Sequence, residues 1–162
     1  MLAMNSIRFA LVAVLLSIFS ISCDSDDGAN TTPTPNFAVI GLWDLVEVNV
    51  NLPQDINMDG TLSTNLMDEL DCISGSLLID SNLVWTFEQS EIVVSRITGD
   101  SFSVNCAGNV TGTGNWFSDE TEITFSGNNE VLTELRISGN QLINDVGEDL
   151  PGIQSFVYEL RQ

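Results

Sequence analysis

The chain has 162 residues, with 23 acidic against 4 basic side chains and a net charge of −19 at neutral pH. It contains no lysine and no histidine. Such a charge keeps a protein soluble and repels phosphate backbones, which argues against nucleic-acid partners and against basic-patch adhesion to anionic lipid. The missing imidazole removes the commonest general base, the commonest zinc ligand and any Ser-His-Asp triad.

The first predicted element is a leader. In "MLAMNSIRFALVAVLLSIFSISC", Arg8 precedes an apolar run from Phe9 to Phe19, and Ser20 and Ser22 lead into Cys23. The run is too short for a transmembrane helix and has the anatomy of a secretory signal peptide over residues 1–22. Its end, "SISC", resembles a bacterial lipobox, with Ser20 where leucine is usual. The resemblance implies cleavage before Cys23 and lipidation of that cysteine with acyl chains such as palmitate. The alternative is ordinary secretion with Cys23 free. Each buried methylene of an acyl chain contributes about 0.8 kcal/mol to membrane anchoring.

Residues 23–36 follow as a tether. "DSDDGANTTPTPN" holds Asp24, Asp26 and Asp27, then Thr, Pro and Asn, with no large apolar side chain. A segment like this cannot bury enough surface to order itself, and Pro33 and Pro35 stiffen it. An acidic cluster just after a lipidated cysteine resembles the surface-export signal of lipoproteins in some Gram-negative bacteria. The expected location is therefore the outer membrane, lipid-anchored and facing the cell surface; a solvated spacer facing the periplasm is the other reading. Once Cys23 is set aside, Cys72 and Cys106 remain as an even pair in an oxidising compartment. A bridge between them is expected, against the alternative of two buried thiols.

Residues 37–162 read as one all-β domain. The first strand, "FAVIGLWDLVEVNVNL", changes its apolar phase near Leu45 and Val46, which predicts a bend or bulge. The next candidates are "GSLLID", "LVWTFEQ", "EIVVSRIT", "VTGTGNWFS", "TEITFSG", "VLTELRISG", "LINDV" and "IQSFVYELR". Turns fall at Ser81-Asn82, Gly99-Asp100, Ser118 to Glu120, Gly127 to Asn129 and Gly139-Asn140. Tight turns between consecutive strands predict an antiparallel up-and-down meander. A sheet of eight or nine strands curls and closes into a barrel, which removes its exposed edges. Alternation puts Leu83, Trp85 and Phe87 on one face, Ile123 and Phe125 on another, Leu135 and Ile137 on a third, and Phe156, Tyr158 and Leu160 on a fourth. These are core residues first. An eight-stranded barrel can also hold one small ligand, and Trp85, Phe87, Phe125, Phe156 and Tyr158 are the candidate lining.

The connection over residues 51–74 is far longer than a hairpin loop and carries "DINMDGTLSTNLMDELDC". Asp55, Asn57, Asp59, Gly60 and Thr61 follow the order of a calcium loop: side-chain oxygens at positions one, three and five, glycine at six, a carbonyl at seven. The twelfth position is Leu66 instead of glutamate, so Asp68 or Glu69 would have to close the shell. The competing reading is an acidic turn, with Gly60 at positive φ and Asp59 bonded to its own backbone. "NLMDEL" predicts a short helix capped by Asn65, with Asp68 completing a capping box.

"GLWDLVEV" carries a Gly-x-Trp in Gly41 and Trp43, and "YELR" ends the chain on Arg161. Together with the acidic first loop and the cysteine pair, this resembles the lipocalin-like domains of bacterial surface lipoproteins. The resemblance implies a lipocalin-like barrel over 37–162. It also implies Arg161 closing the barrel base over Trp43 through a cation–π contact, and the first loop acting as a lid at the open mouth. Three function classes follow. One is a module that binds a small apolar ligand. A second is a non-catalytic subunit of a surface assembly, with a packed barrel. The third is an enzyme using a carboxylate pair such as Asp119 and Glu120. Exposed acidic turns are far more often solvation than catalysis, so no enzyme activity is expected.

Overall fold

A computed structural model describes residues 35–98, 102–127, 131–146 and 152–162. The leader, Cys23, most of the tether and the turn expected at Gly99-Asp100 lie outside the described residues, as does Asn128-Asn129 of the next expected turn.

The strands are β1 (Gly41–Gln54), β2 (Ser63–Asn65), β3 (Gly75–Ile79), β4 (Val84–Arg96), β5 (Phe102–Ser118), β6 (Glu122–Gly127), β7 (Glu134–Ser138), β8 (Gln141–Asp145) and β9 (Ile153–Leu160). All pairings are antiparallel between sheet neighbours, and β1 pairs with both β3 and β9. Eight strands thus form a closed barrel, with β2 as an extra strand on β1. Closure satisfies the backbone groups that an open meander would leave at its edges.

Several elements differ from their expected bounds. Phe37–Val39 is a 3-10 turn, not the start of the first strand; Asn36 caps it by accepting from the Ala38 N–H. The two strands expected around Ser90 are one strand, β4, which stays paired with β5 through an irregularity between Ser90 and Ile92. A bulge lets a strand bend without ending, so the break in alternation marks a bend and not a turn. The bulge expected in the first strand is present: the β1–β9 register shifts between Leu45 and Glu47. It explains why Trp43 and Leu45 point inward and then Val48 and Val50 do, with an odd step between.

The tight turns at 80–83, 119–121 and 139–140 share one end with the first residues of β1, and the 3-10 turn Phe37–Val39 lies across it. At this base the Trp43 indole N–H donates to the Val39 carbonyl at 2.9 Å, the Asn36 N–H donates to Ser118, and Phe37 meets Trp116 edge-on at 6.3 Å. Above it, Leu77, Ile79, Trp85, Ile123, Leu135 and Leu142 fill the interior.

Candidate functional site

The site is at the opposite end of the barrel. Alternation along β4 points Trp85, Phe87 and Gln89 inward, and β9 points Phe156 and Tyr158 inward against them. Trp85 sits lowest, sealed by Phe125 at a centroid distance of 5.2 Å, with its indole N–H donating to the Ser126 carbonyl. One level up, Phe87 meets Tyr158 edge-on at 6.4 Å, and the Tyr158 hydroxyl donates to Gln89 Oε1 at 2.6 Å. Above that hydrogen bond lies a cavity of about 510 Å³, open to solvent. Phe87, Gln89, Phe156 and Tyr158 line its lower part; Ile92, Val110, Leu132, Asn144 and Val146 line its wall. It reaches solvent past Glu91, Thr133 and Asp145, all exposed. A volume in this range suits a small-molecule site.

Of the five expected lining residues, Phe87, Phe156 and Tyr158 are in the cavity wall. Trp85 and Phe125 are not: they pack against each other in the filled half of the barrel. The reason is height along the strands. Trp85 pairs with Ile79 and Gly114 near the base, two residues below Phe87, so the aromatic level above it separates it from the cavity. Gln89 was missed, although it continues the alternation of Trp85 and Phe87 by one more step. Leu132 and Val146 come from connections, where no periodicity signals an inward side chain.

Burial without charge neutralisation disfavours the phenolate, and it pushes the Tyr158 hydroxyl well above the ordinary tyrosine range. The sign of the resulting linkage is clear. Unfolded tyrosine ionises near pH 10 while folded Tyr158 keeps its proton, so this stability is complete below pH 10 and is lost as pH rises beyond it. We expect a loss of about 1.4 kcal/mol per pH unit above pH 10 in urea melts, and a flatter profile for Tyr158→Phe. Since Tyr158 is the sole tyrosine of the chain, absorbance at 295 nm follows it alone. A phenolate appearing at pH 10 while the protein is still folded contradicts the buried hydrogen bond.

The long first connection does not cover the cavity. None of residues 55–74 is in the cavity wall, and the connection closes the barrel's flank instead. Beyond Asp44, β1 has no further partner in β3, and its peptide groups need others. Asn65 supplies them: its Oδ1 accepts from the Val48 N–H at 2.9 Å and its Nδ2 donates to the Val46 carbonyl. The same Oδ1 caps the 3-10 turn Leu66–Asp68 by accepting from Met67. Leu66 enters the core, fully buried. The expected capping box does not form, because Asp68 accepts from the Ser63 hydroxyl at 2.7 Å instead. Cys72 and Cys106 are bridged, and Ser90 Oγ donates to the Cys72 carbonyl while accepting from the Ser74 N–H. These bonds hold the end of the connection against β4.

The acidic loop is an Asx-turn cluster. Asp55 accepts from the N–H groups of Asp59 and Gly60 at 3.0 Å each, Asn57 Oδ1 accepts from Asp59, and Asp59 accepts from Thr61 at 2.7 Å. Gly60 sits at φ 90°, a conformation glycine adopts without a Cβ penalty. Bonding to Thr61 holds the Asp59 carboxyl below its ordinary range. Glu69, buried, reaches back to the N–H groups of Ile56 and Asn57 at 2.9 and 3.3 Å. The side-chain oxygens of Asp55, Asn57 and Asp59 thus accept from the loop's own backbone, which shapes the turn. Among the described residues, no three acidic or cysteine side chains form a group that could hold a metal ion. Asp119 likewise accepts from the N–H groups of Thr121 and Glu122, which lowers its pKa; it organises a turn, with Glu120 exposed beside it.

The base is closed differently from the expected Trp43–Arg161 stack. The Arg161 guanidinium forms a two-pronged pair with Asp44, Nε to Oδ2 at 2.7 Å, and its side chain is 56% exposed. Sheet parity explains the change. Trp43 pairs with Leu160 and faces inward, so Arg161, one residue on, faces outward with Asp44. The pair raises the pKa of Arg161 and lowers that of Asp44. Gly41 begins β1 opposite Ile79, and a Cβ there would run into the Leu160 side chain.

Comparison of the chain with protein-family models, with curated proteins and with solved structures finds no match.

Proposed function

We propose that this protein is a lipid-anchored binding module of the outer membrane, facing the cell surface, whose lipocalin-like barrel holds one small ligand. The observation that carries this reading is the cavity of about 510 Å³ at one end of the barrel, above a lower half filled by Leu77, Ile79, Trp85, Ile123, Leu135 and Leu142. Its floor is buried and largely apolar while its mouth opens to solvent, an arrangement in which apolar walls hold a small molecule and a few polar groups orient it. The anchor rests on the lipobox-like "SISC" and the acidic tether, and the role is binding, not catalysis.

A second reading is a non-catalytic interaction subunit of a surface assembly. Exposed apolar side chains at the cavity end favour it: Leu52, Met58 and Leu62 on the first connection and its flanking strand, and Ile97 beyond β4. The packed barrel that this reading originally implied has the cavity against it.

Native mass spectrometry of the full-length protein from its own membranes, followed by lipid extraction, tests both parts. The expected result is acyl mass on the peptide beginning at Cys23 and a further small molecule released on denaturation. An uncleaved leader overturns the anchor. A barrel that releases nothing, and takes up none of a panel of small amphiphiles, turns the choice to the interaction subunit.

A further inference from the structure

The polar groups of the cavity are placed unevenly, and this restricts what it can hold. Two charged side chains line it, Glu91 and Asp145, both acidic. Asp145 is already paired with Arg136 at 3.1 Å, and no cationic side chain lines the cavity among the described residues. The buried end offers a hydrogen-bond donor instead. Gln89 is 8% exposed; its Oε1 is occupied by the Tyr158 hydroxyl, and its Nε2 hydrogens have no partner among the described residues. The hydroxyl of Ser90, the other buried polar group of the wall, is spent on the Cys72 carbonyl. The rest of the buried surface is apolar: Phe87, Ile92, Leu132 and Phe156.

A ligand carboxylate or phosphate seated on the buried floor of this cavity would lose its water and find no counter-charge among the described side chains there, a desolvation that buried anions do not survive unpaired. It would also meet a chain of net charge −19. A neutral acceptor loses far less and can take up the amide hydrogens of Gln89, which face the open cavity. Resting on the binding reading above, we propose that the cavity selects an uncharged amphiphile, with a carbonyl or hydroxyl head received by Gln89 and an apolar body on Phe87, Leu132 and Phe156, and that it rejects fatty carboxylates of the same length.

Calorimetric titration of the full mature protein at pH 8 with 2-undecanone, 1-decanol and decanoate tests this. The two neutral probes should bind at least about tenfold more tightly than decanoate, the scale set by an unpaired buried charge. Gln89→Met should weaken 2-undecanone by about tenfold, the cost of one lost hydrogen bond to a buried group. Since that variant leaves the Tyr158 hydroxyl unpartnered, Gln89→Met with Tyr158→Phe removes both polar partners and keeps the shape of the floor. It should fold and show the same weakening. Decanoate binding as tightly as the neutral probes overturns this selectivity and leaves the binding reading standing. Unchanged 2-undecanone affinity in the folded double variant overturns the role of Gln89. If none of the three probes binds, the selectivity and the binding reading fall together.

Discussion

Trp85→Ala is expected to cost about 3–5 kcal/mol, the range for truncating a fully buried tryptophan. The ring has no solvent exposure. Its faces and edges are all in contact with other groups. Phe125 meets it edge-on at 5.2 Å, and its indole N–H reaches the Ser126 carbonyl at 3.2 Å. Its far edge lies over Gly112, so closely that a Cβ there would come within 2.6 Å of Cη2. Glycine at 112 is therefore the space the ring occupies, and the alanine variant leaves a hollow that rigid strands on both sides cannot collapse into. A protein of ordinary stability, about 5–15 kcal/mol, would lose a large share of it. Trp43 and Trp116 are also buried, but they lie at the base, where the 3-10 turn Phe37–Val39 can settle against a smaller side chain. The measurement is a urea melt of each alanine variant, with the midpoint shifted and the slope unchanged. A Trp85→Ala protein melting within about 1 kcal/mol of wild type would show that this half of the barrel is not packed around the indole.

Reduction of the Cys72–Cys106 bridge is expected to cost about 4 kcal/mol. The cysteines are 34 residues apart in sequence, and the chain-entropy relation assigns a loop of that length this stabilisation. The location of the loss matters as much as its size. Beyond Ser90, β4 has only β5 beside it, because β3 reaches no higher than Gln89 in the register. β5 in turn meets β6 only from Gly114 onward. The far ends of β4 and β5 are thus a two-stranded ribbon, which is marginal alone in water. The bridge from Cys106 to the first connection is a covalent tie between this ribbon and the rest of the barrel. After reduction, Ser90 still holds Cys72 and Ser74 through hydrogen bonds, so the connection should stay in place while the ribbon frays. Amide exchange compared between oxidised and reduced protein should show lost protection over 92–96 and 102–106, and little change in β6 to β8. Uniform loss across the barrel, or none, would contradict that division.

The parts of this molecule that were legible in the sequence are those set by neighbours along the chain. Alternation with a period of two marks a strand and its inward face wherever the sheet is half-buried, and it located the inward runs of β4, β6, β7 and β9, except that Leu160, expected in the core, is exposed at the end of β9. Glycine, asparagine and aspartate marked the turns at 81–82 and 139–140 because their backbones and short side chains suit turns, and the turn expected over 118–120 falls one residue later, at 119–121, since Ser118 still belongs to β5. The odd step at Leu45–Val46 announced a bulge, and the even pair of cysteines announced a bridge. Asn65 was recognisable as a cap, since capping is a contact between residues two or three apart.

What the tertiary structure alone decided concerns partners far apart in sequence. Tyr158 and Gln89 meet across the barrel at a separation of 69 residues, and their height on two strands depends on how far each strand is shifted when the sheet closes. That shift also dropped Trp85 and Phe125 below the cavity while leaving Phe87 and Phe156 in it. The second role of Asn65 follows from β3 ending its pairing with β1 at Asp44, which leaves peptide groups at Val46 and Val48 that the Asn65 side chain meets. Arg161 turned outward to Asp44 because one residue of register exchanges the two faces of a strand. Local pattern determines that a residue faces in or out; closure determines what it faces.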